Sequence, residues 1–375
     1  MDVLAVAAPG LEDLLARELQ AMGVQPVRKI TGGVEFSGAM PFVWRANMWS
    51  RIASRVLVRM DEFHASSFHE LERRAKRIDW HRYIAPGTAA RFRVTCRKSR
   101  LYHSDAIAER LTKAAGATAG PVATTETDDD DDATDSSQLF IVRVADDTVT
   151  ISADTSGDLL HRRGYRQAVG RAPLRETLAA AMLLGSGWNR SGTLIDPMCG
   201  SGTIAIEAAM MARGIPPGGQ RSFAFESWPG HRADEWDAFV GQARSTTVGR
   251  APGRIVASDR DAGAVAATAA NAERAGVRDD IELSERAVST IELPDGGGWL
   301  VSNPPYGLRV GESSVLRNLY ARLGSIIRER GEGYLAGFLS ADPALESQLK
   351  LALAEVFKTT NGGIPVRFIL GGRPD

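Results

Sequence analysis

The sequence predicts a multi-unit α/β protein whose C-terminal half is a doubly wound parallel sheet and whose N-terminal part holds two smaller units of mixed strands and helices. Three observations carry that prediction. From about Gly170 onward, short apolar runs alternate with amphipathic stretches at a strand–helix rhythm. One of those runs, Leu194-Ile195-Asp196, ends in a glycine-bearing turn that opens a helical pattern. The 375 residues, 43% hydrophobic and 24% charged, suffice for two or three cores.

In chain order, Val3–Val6 reads as a strand. Gly10 to Met22 has helical spacing (Leu11, Leu14, Leu15, Leu19) stopped by Gly23, and Val34-Glu35-Phe36 alternates as a strand after Gly32-Gly33. These elements form a first unit, 1–52. A second, 53–155, has strands at Val56–Val58, Phe92–Val94 and Leu139–Val144, with helices at Phe68–Ile78 and Asp105–Ala115. Inside it, 117–137 is a low-complexity stretch containing Asp128–Asp132. Its adjacent carboxylates repel one another and predict a disordered acidic insertion. A linker, 156–170, leads into the third unit, 171–375. There strands are expected at Thr193–Ile195, Ile255–Ala257, Trp299–Val301 and Leu335–Leu339. Helices are expected at Thr203–Ala212, Ala262–Ala275 and Val315–Arg328.

Composition excludes several classes. No apolar run approaches the roughly 20 residues of a membrane span. The start, Met1-Asp2-Val3-Leu4, is not that of a signal peptide, so a soluble cytoplasmic protein is expected. Two cysteines, Cys96 and Cys199, make no disulfide framework and no CxxC pair, and six histidines show no HxxxH spacing; no metal site is expected. The net charge of −1 conceals an asymmetry. Residues 1–120 carry 19 Lys/Arg against 12 Asp/Glu, whereas 121–160 carry one against 11. An acidic segment therefore masks a basic N-terminal third of the kind that meets nucleic acid.

The turn Asp196-Pro197-Met198-Cys199-Gly200-Ser201-Gly202-Thr203 follows a strand and opens a helix, where doubly wound sheets bind ligands. Gly200 and Gly202 let the backbone approach a ligand closely. The spacing also fits a dinucleotide fingerprint, which alone is weak. Asp196 favours S-adenosylmethionine instead, since its charge opposes a pyrophosphate and suits a cationic amino acid and sulfonium. Asp259, closing the next apolar run, can accept hydrogen bonds from a ribose diol, with Arg260 beside it. The competing reading makes Asp196 a plain helix cap. Cys199 lies in this turn, where a small packing residue is a better reading than a nucleophile.

Trp299-Leu300-Val301-Ser302-Asn303-Pro304-Pro305-Tyr306-Gly307 is the most informative stretch: an apolar strand delivers a proline-locked turn. The exocyclic amine of a nucleobase is a poor nucleophile because its lone pair is delocalised into the ring. Two acceptors on its two protons, the Asn303 side-chain oxygen and the Pro304 carbonyl, draw the nitrogen toward tetrahedral geometry. Pro305 stiffens the turn and Tyr306 can stack on an extruded base. The bland alternative is an ordinary proline turn.

With these residues in view, the chain resembles the THUMP-domain RNA guanine-N2 methyltransferases, particularly the type acting on large-subunit ribosomal RNA. Gly10–Leu15 and Gly32–Phe36 are similar to that family's N-terminal ferredoxin-like unit, and Arg51–Leu57 leads into its THUMP domain. Lys98–Ser104 is similar to the segment before a THUMP helix. His161–Arg166 and Ala172–Ala179 resemble the linker and first helix of the methyltransferase domain, which brings in Thr177 as a cofactor residue. The resemblance implies a Rossmann-like S-adenosylmethionine domain preceded by an α+β ferredoxin-like plus THUMP module. It also implies structured RNA as partner, either rRNA or tRNA, with ribosomal assembly intermediates as a further partner. Lys98, Arg100, His103, Arg162, Arg163 and Arg166 are the expected RNA contacts; the alternative for each is a solvated face. Two departures stand out. The family's Asp after the adjacent strand, near Glu285-Arg286-Ala287-Val288, is replaced by Ala287, which loses an adenine contact or passes it to Glu285. The acidic insertion is also unusual. Rival readings are a tRNA guanine-N2 methyltransferase, a DNA adenine-N6 methyltransferase, and a non-catalytic RNA-binding assembly factor.

Overall fold

A computed structural model describes residues 1–116, 137–167, 174–306 and 313–372. The expected acidic insertion lies, apart from Ser137, outside the described residues, as do the end of the linker and Gly307. The N-terminal elements are β1 (Asp2–Val6), α1 (Glu12–Ala21), β2 (Val27–Ile30), β3 (Gly33–Ser37), α2 (Met40–Trp49), β4 (Arg55–His64), α3 (Phe68–Ala75), β5 (Ala90–Arg97), α4 (Ser104–Ala115), β6 (Gln138–Ala145) and β7 (Thr148–Asp154). There follow α5 (Glu176–Gly185), β8 (Leu194–Asp196), α6 (Thr203–Arg213), α7 (Ala233–Ser245), β9 (Ile255–Asp259), α8 (Ala262–Arg274) and β10 (Ile281–Glu285). The chain closes with β11 (Gly298–Ser302), α9 (Ser313–Arg330), β12 (Tyr334–Ser340), α10 (Pro343–Leu349), β13 (Ala352–Asn361) and β14 (Ile364–Gly372).

The chain forms two compact units, and neither is continuous in sequence. The first holds 1–7, 16–160 and 221–241; the second holds 8–15, 161–220 and 242–375. The expected boundary at 52/53 falls within one sheet, of order β2-β3-β1-β4-β7-β6-β5. Its middle seam is the antiparallel β1–β4 ladder, from Asp2 opposite Arg59 to Val6 opposite Arg55. Splitting the sheet there would leave two unpaired edges. On its buried side Phe92 stacks on Phe140 at 5.1 Å, with Trp80 edge-on to each. The segment 221–241, which the sequence places among the third unit's elements, supplies this unit with Trp228 and Trp236. Trp228 Nε1 donates to Gln138 Oε1 at 2.7 Å, and Trp236 meets Trp44 at 5.6 Å between ring centres. Within this unit, buried Arg55 pairs with buried Asp154, whose oxygens also accept from the Ser156 and Gly157 amides. Burial still pushes the Asp154 carboxyl above its ordinary range.

The second unit has a sheet of order β10-β9-β8-β11-β12-β14-β13. Five strands, β8 to β12, are parallel; β14 runs antiparallel to β12, and β13 antiparallel to β14. The parallel sheet read from sequence is thus correct for its centre and incomplete at one edge, where a hairpin replaces a further crossover helix. Tyr320, Leu323 and Ile327 of α9 pack with Phe338 and Ile369 in a fully buried cluster. Chain order reverses between β8 and β11, so their carboxyl ends open a crevice at the switch point.

Candidate active site

The two sequence motifs meet at that crevice. Leu194 and Ile195 of β8 align with Trp299 and Leu300 of β11, so the turns that follow begin side by side. Asp196, 2% exposed, accepts a 2.7 Å hydrogen bond from Ser302 Oγ and a 3.3 Å bond from the Met198 amide. Burial pushes its carboxyl up to about 7, only partly offset by these two donors, and the nearby Asp259 carboxylate adds to the rise.

The glycine turn is held from α8. Gly200 (φ +55°) and Gly202 (φ +86°) both occupy the left-handed region. A Cβ on Gly202 would fall 2.6 Å from Thr268 Cγ2, whereas one on Gly200 would meet nothing within 4 Å. Thr268 Oγ1 donates to the Gly200 carbonyl at 2.8 Å, and Asn271 Nδ2 to the Ser201 carbonyl at 2.9 Å. Both side chains are buried, and neither was expected as part of the site. Their helix was legible; that its buried polar face grips this turn is a tertiary fact. Asp259, half-buried at the end of β9, accepts from the Gly200 amide at 3.0 Å. Arg260 beside it is exposed. Pro197 is buried, and Met198 packs against the α9 core. Thr177 is buried on α5, and Thr203 opens α6. Cys199 Sγ lies 3.6 Å from Thr268 Oγ1, and burial pushes its thiol up to about 12. A thiol kept protonated is a poor nucleophile, so the geometry favours packing. The open space at Gly200, beside the half-buried Asp259 carboxylate, has room and an acceptor for a ligand with a ribose diol.

On the opposing turn, Asn303 Oδ1 is buried and has no hydrogen-bond partner among the described residues. Pro304 is buried, Pro305 exposed and Tyr306 half-buried against the α9 core. Tyr306 Oη accepts a 2.8 Å hydrogen bond from Asn361 Nδ2, and burial pushes the phenol above its ordinary range. Asn361 ends β13. The run Asn361-Gly362-Gly363 announces a turn in the sequence but not this contact. Glu285, exposed, ends β10 opposite Asp259; exposed Ala287 follows it in the loop. Among the described residues, no group of three or more His, Cys, Asp or Glu could hold a metal ion.

The expected RNA contacts divide. Lys98, Arg100 and His103 are exposed together on the β5–α4 loop. The Arg100 amide donates to Asp147 at 2.7 Å, and Tyr102, 66% exposed, lies 4.1 Å from the His103 ring. Arg162 is half-buried. Arg163 and Arg166 point inward, contrary to expectation. Arg163, 2% exposed, lies 3.5 Å from fully buried Glu207 of α6. Arg166 pairs with buried Glu176 of α5 at 3.2 Å and donates to Thr203 Oγ1 at 2.7 Å. Buried carboxylates require such partners, so these guanidinium groups are engaged inside the unit.

The switch-point crevice, glycine turn and strand order define a Rossmann-like methyltransferase fold. Residues 163–368 match the family described as RMKL-like, methyltransferase domain, and residues 2–57 match the RlmL ferredoxin-like domain. The chain belongs to the RMKL-like methyltransferase family. It is 34% identical to the ribosomal RNA large subunit methyltransferase K/L of Methylococcus capsulatus, over 98% of this chain and 51% of that protein. The chain thus spans about half the length of the K/L relatives it matches. A Synechocystis sp. protein whose name is that of an RNA methyltransferase is 33% identical over 96% of this chain and 94% of its own. A solved structure described as a methyltransferase complexed with SAH superimposes with a TM-score of 0.86 at 27% identity, covering 100% of this chain and 98% of that one. No helix among the described residues is long and apolar enough to cross a membrane.

Proposed function

We propose that the chain is an S-adenosylmethionine-dependent RNA methyltransferase that modifies N2 of a guanine in 23S rRNA, acting in the cytoplasm on rRNA or on an assembling large subunit. The observation that carries the reading is the buried Asn303 Oδ1 at the switch point, which no donor among the described residues reaches. A buried acceptor without a donor costs about 1–3 kcal/mol. Such an atom is explained when a substrate amine supplies the missing hydrogen bond. Bound at the glycine turn, S-adenosylmethionine supplies the electrophilic methyl group. Asp196 and Asp259 orient it by its cationic end and ribose. Asn303 Oδ1 and the Pro304 carbonyl would accept hydrogen bonds from the two amine N–H groups and free the nitrogen lone pair, while Tyr306 stacks on the base. The methylated nitrogen then releases one proton to water, and S-adenosylhomocysteine leaves. Catalysis rests on orientation and electrostatics, and no strong base is required. The THUMP-like part of the first unit, through Lys98, Arg100 and His103, contacts RNA phosphates. Names of the RNA methyltransferase relatives point the same way.

The test is methylation of separated rRNA and tRNA from a deletion strain with labelled cofactor, followed by nucleoside analysis. N2-methylguanosine in 23S rRNA is expected. The same product confined to tRNA would reassign the substrate. N6-methyladenine in DNA, or no transfer to any pool, would overturn the reading.

A further inference from the structure

Asn361 stands 55 residues from Tyr306 in sequence, yet its Nδ2 donates to Tyr306 Oη at 2.8 Å. Strand periodicity makes this contact a built one. Phe357, Thr359 and Asn361 alternate onto one face of β13. Phe357 and Thr359 are buried on that face, and Phe357 stacks on Phe368 at 5.3 Å. The strand is therefore fixed with this face inward. At its end, Gly362 (φ +55°) and Gly363 (φ +78°) turn the chain directly into β14, where Ile364 pairs back with Asn361. The amide is thus presented from the hairpin end to a turn whose Tyr306 ring packs against the α9 core, and it fixes that ring at its hydroxyl end. A ring on such a turn keeps torsional freedom about its side chain; an anchored hydroxyl removes most of it.

We propose that Asn361 is a positioning residue for methyl transfer: its hydrogen bond to Tyr306 Oη holds the phenol ring in the plane against which the target base stacks. The proposal rests on the functional reading above. It assigns a task in the reaction to the antiparallel hairpin that closes the sheet.

A double-mutant cycle tests it. Unaltered protein, Asn361→Ala, Tyr306→Phe and the double variant are assayed on unmodified 23S rRNA with labelled cofactor, and the same four are melted thermally. Each single change is expected to raise KM for RNA about tenfold, the scale of one orienting hydrogen bond, with kcat altered less than about threefold. The double variant should be no worse than either single, because both changes remove the same bond. Asn361→Asp, whose carboxylate can accept from the phenol O–H, should recover KM to within about threefold. Cofactor affinity by calorimetry should be unchanged throughout. Losses in KM that multiply in the double variant would overturn the proposal, as would coupling seen in the melting temperature alone. Failure of the unaltered protein to methylate either RNA pool would instead overturn the functional reading and take this proposal with it.

Discussion

Two side chains at the switch point carry opposite burdens. No donor among the described residues reaches Asn303 Oδ1, so its removal should spare everything except the step that uses it. Asn303→Ala is expected to leave cofactor affinity nearly intact by calorimetry and to cut single-turnover methyl transfer at least about 10²-fold, the scale of one lost positioning group. Equal turnover would refute the proposed chemistry. Asp196 holds a carboxyl whose folded value, about 7, lies above the roughly 3.9 of an unfolded chain. Its contribution to stability is therefore fully present below about pH 4 and is lost as pH rises through 7. Melting temperatures across that range should fall more steeply in the unaltered protein than in Asp196→Asn. A cationic ligand favours the ionised form, so cofactor affinity should rise with pH through the same window.

The glycine turn shows how the elements divide their work. Gly202 faces Thr268 at a distance no Cβ tolerates, and Gly200 faces open space. Gly202→Ala should lower the melting temperature and cofactor affinity together. Gly200→Ala carries only the left-handed cost of about 1–2 kcal/mol, and its methyl group enters the space assigned to the ligand, so affinity should fall further than stability. The sequence made the turn legible because strand, glycines and helix start are local signals. The same holds for β8, β9, β11 and β12, whose apolar runs are long enough to stand out. Thr268, Asn271, Ser302 and Asn361 were not legible as site residues. Each reaches the site through a hydrogen bond to a residue brought close only by the fold, and nothing in a lone Thr or Asn distinguishes a grip from a cap. The β13–β14 hairpin was missed for a related reason: β13 faces solvent along much of its length, which dilutes the apolar signal.

At the scale of the molecule, charge is sorted by depth as well as by segment. Arginine usage alone would place Arg163 with Arg100, but the first closes an ion pair in the interior and the second stands in solvent. Lys98→Ala and Arg100→Ala should each lower the slope of log affinity for RNA against log salt by about one, without changing the melting temperature. Arg163→Ala should leave that slope unchanged and destabilise the fold by about 3–5 kcal/mol, since it takes a buried cation away from buried Glu207. Filter binding over a salt series, paired with thermal melts, separates the two outcomes. The discontinuous first unit carries a consequence for biosynthesis. Trp228 and Trp236 belong to its interior, but the ribosome makes them long after β7, with β8 and α6 already translated. The N-terminal sheet must therefore wait, with its aromatic seats empty, until the chain has grown past residue 241. A nascent chain stalled before that point is the species a chaperone should hold.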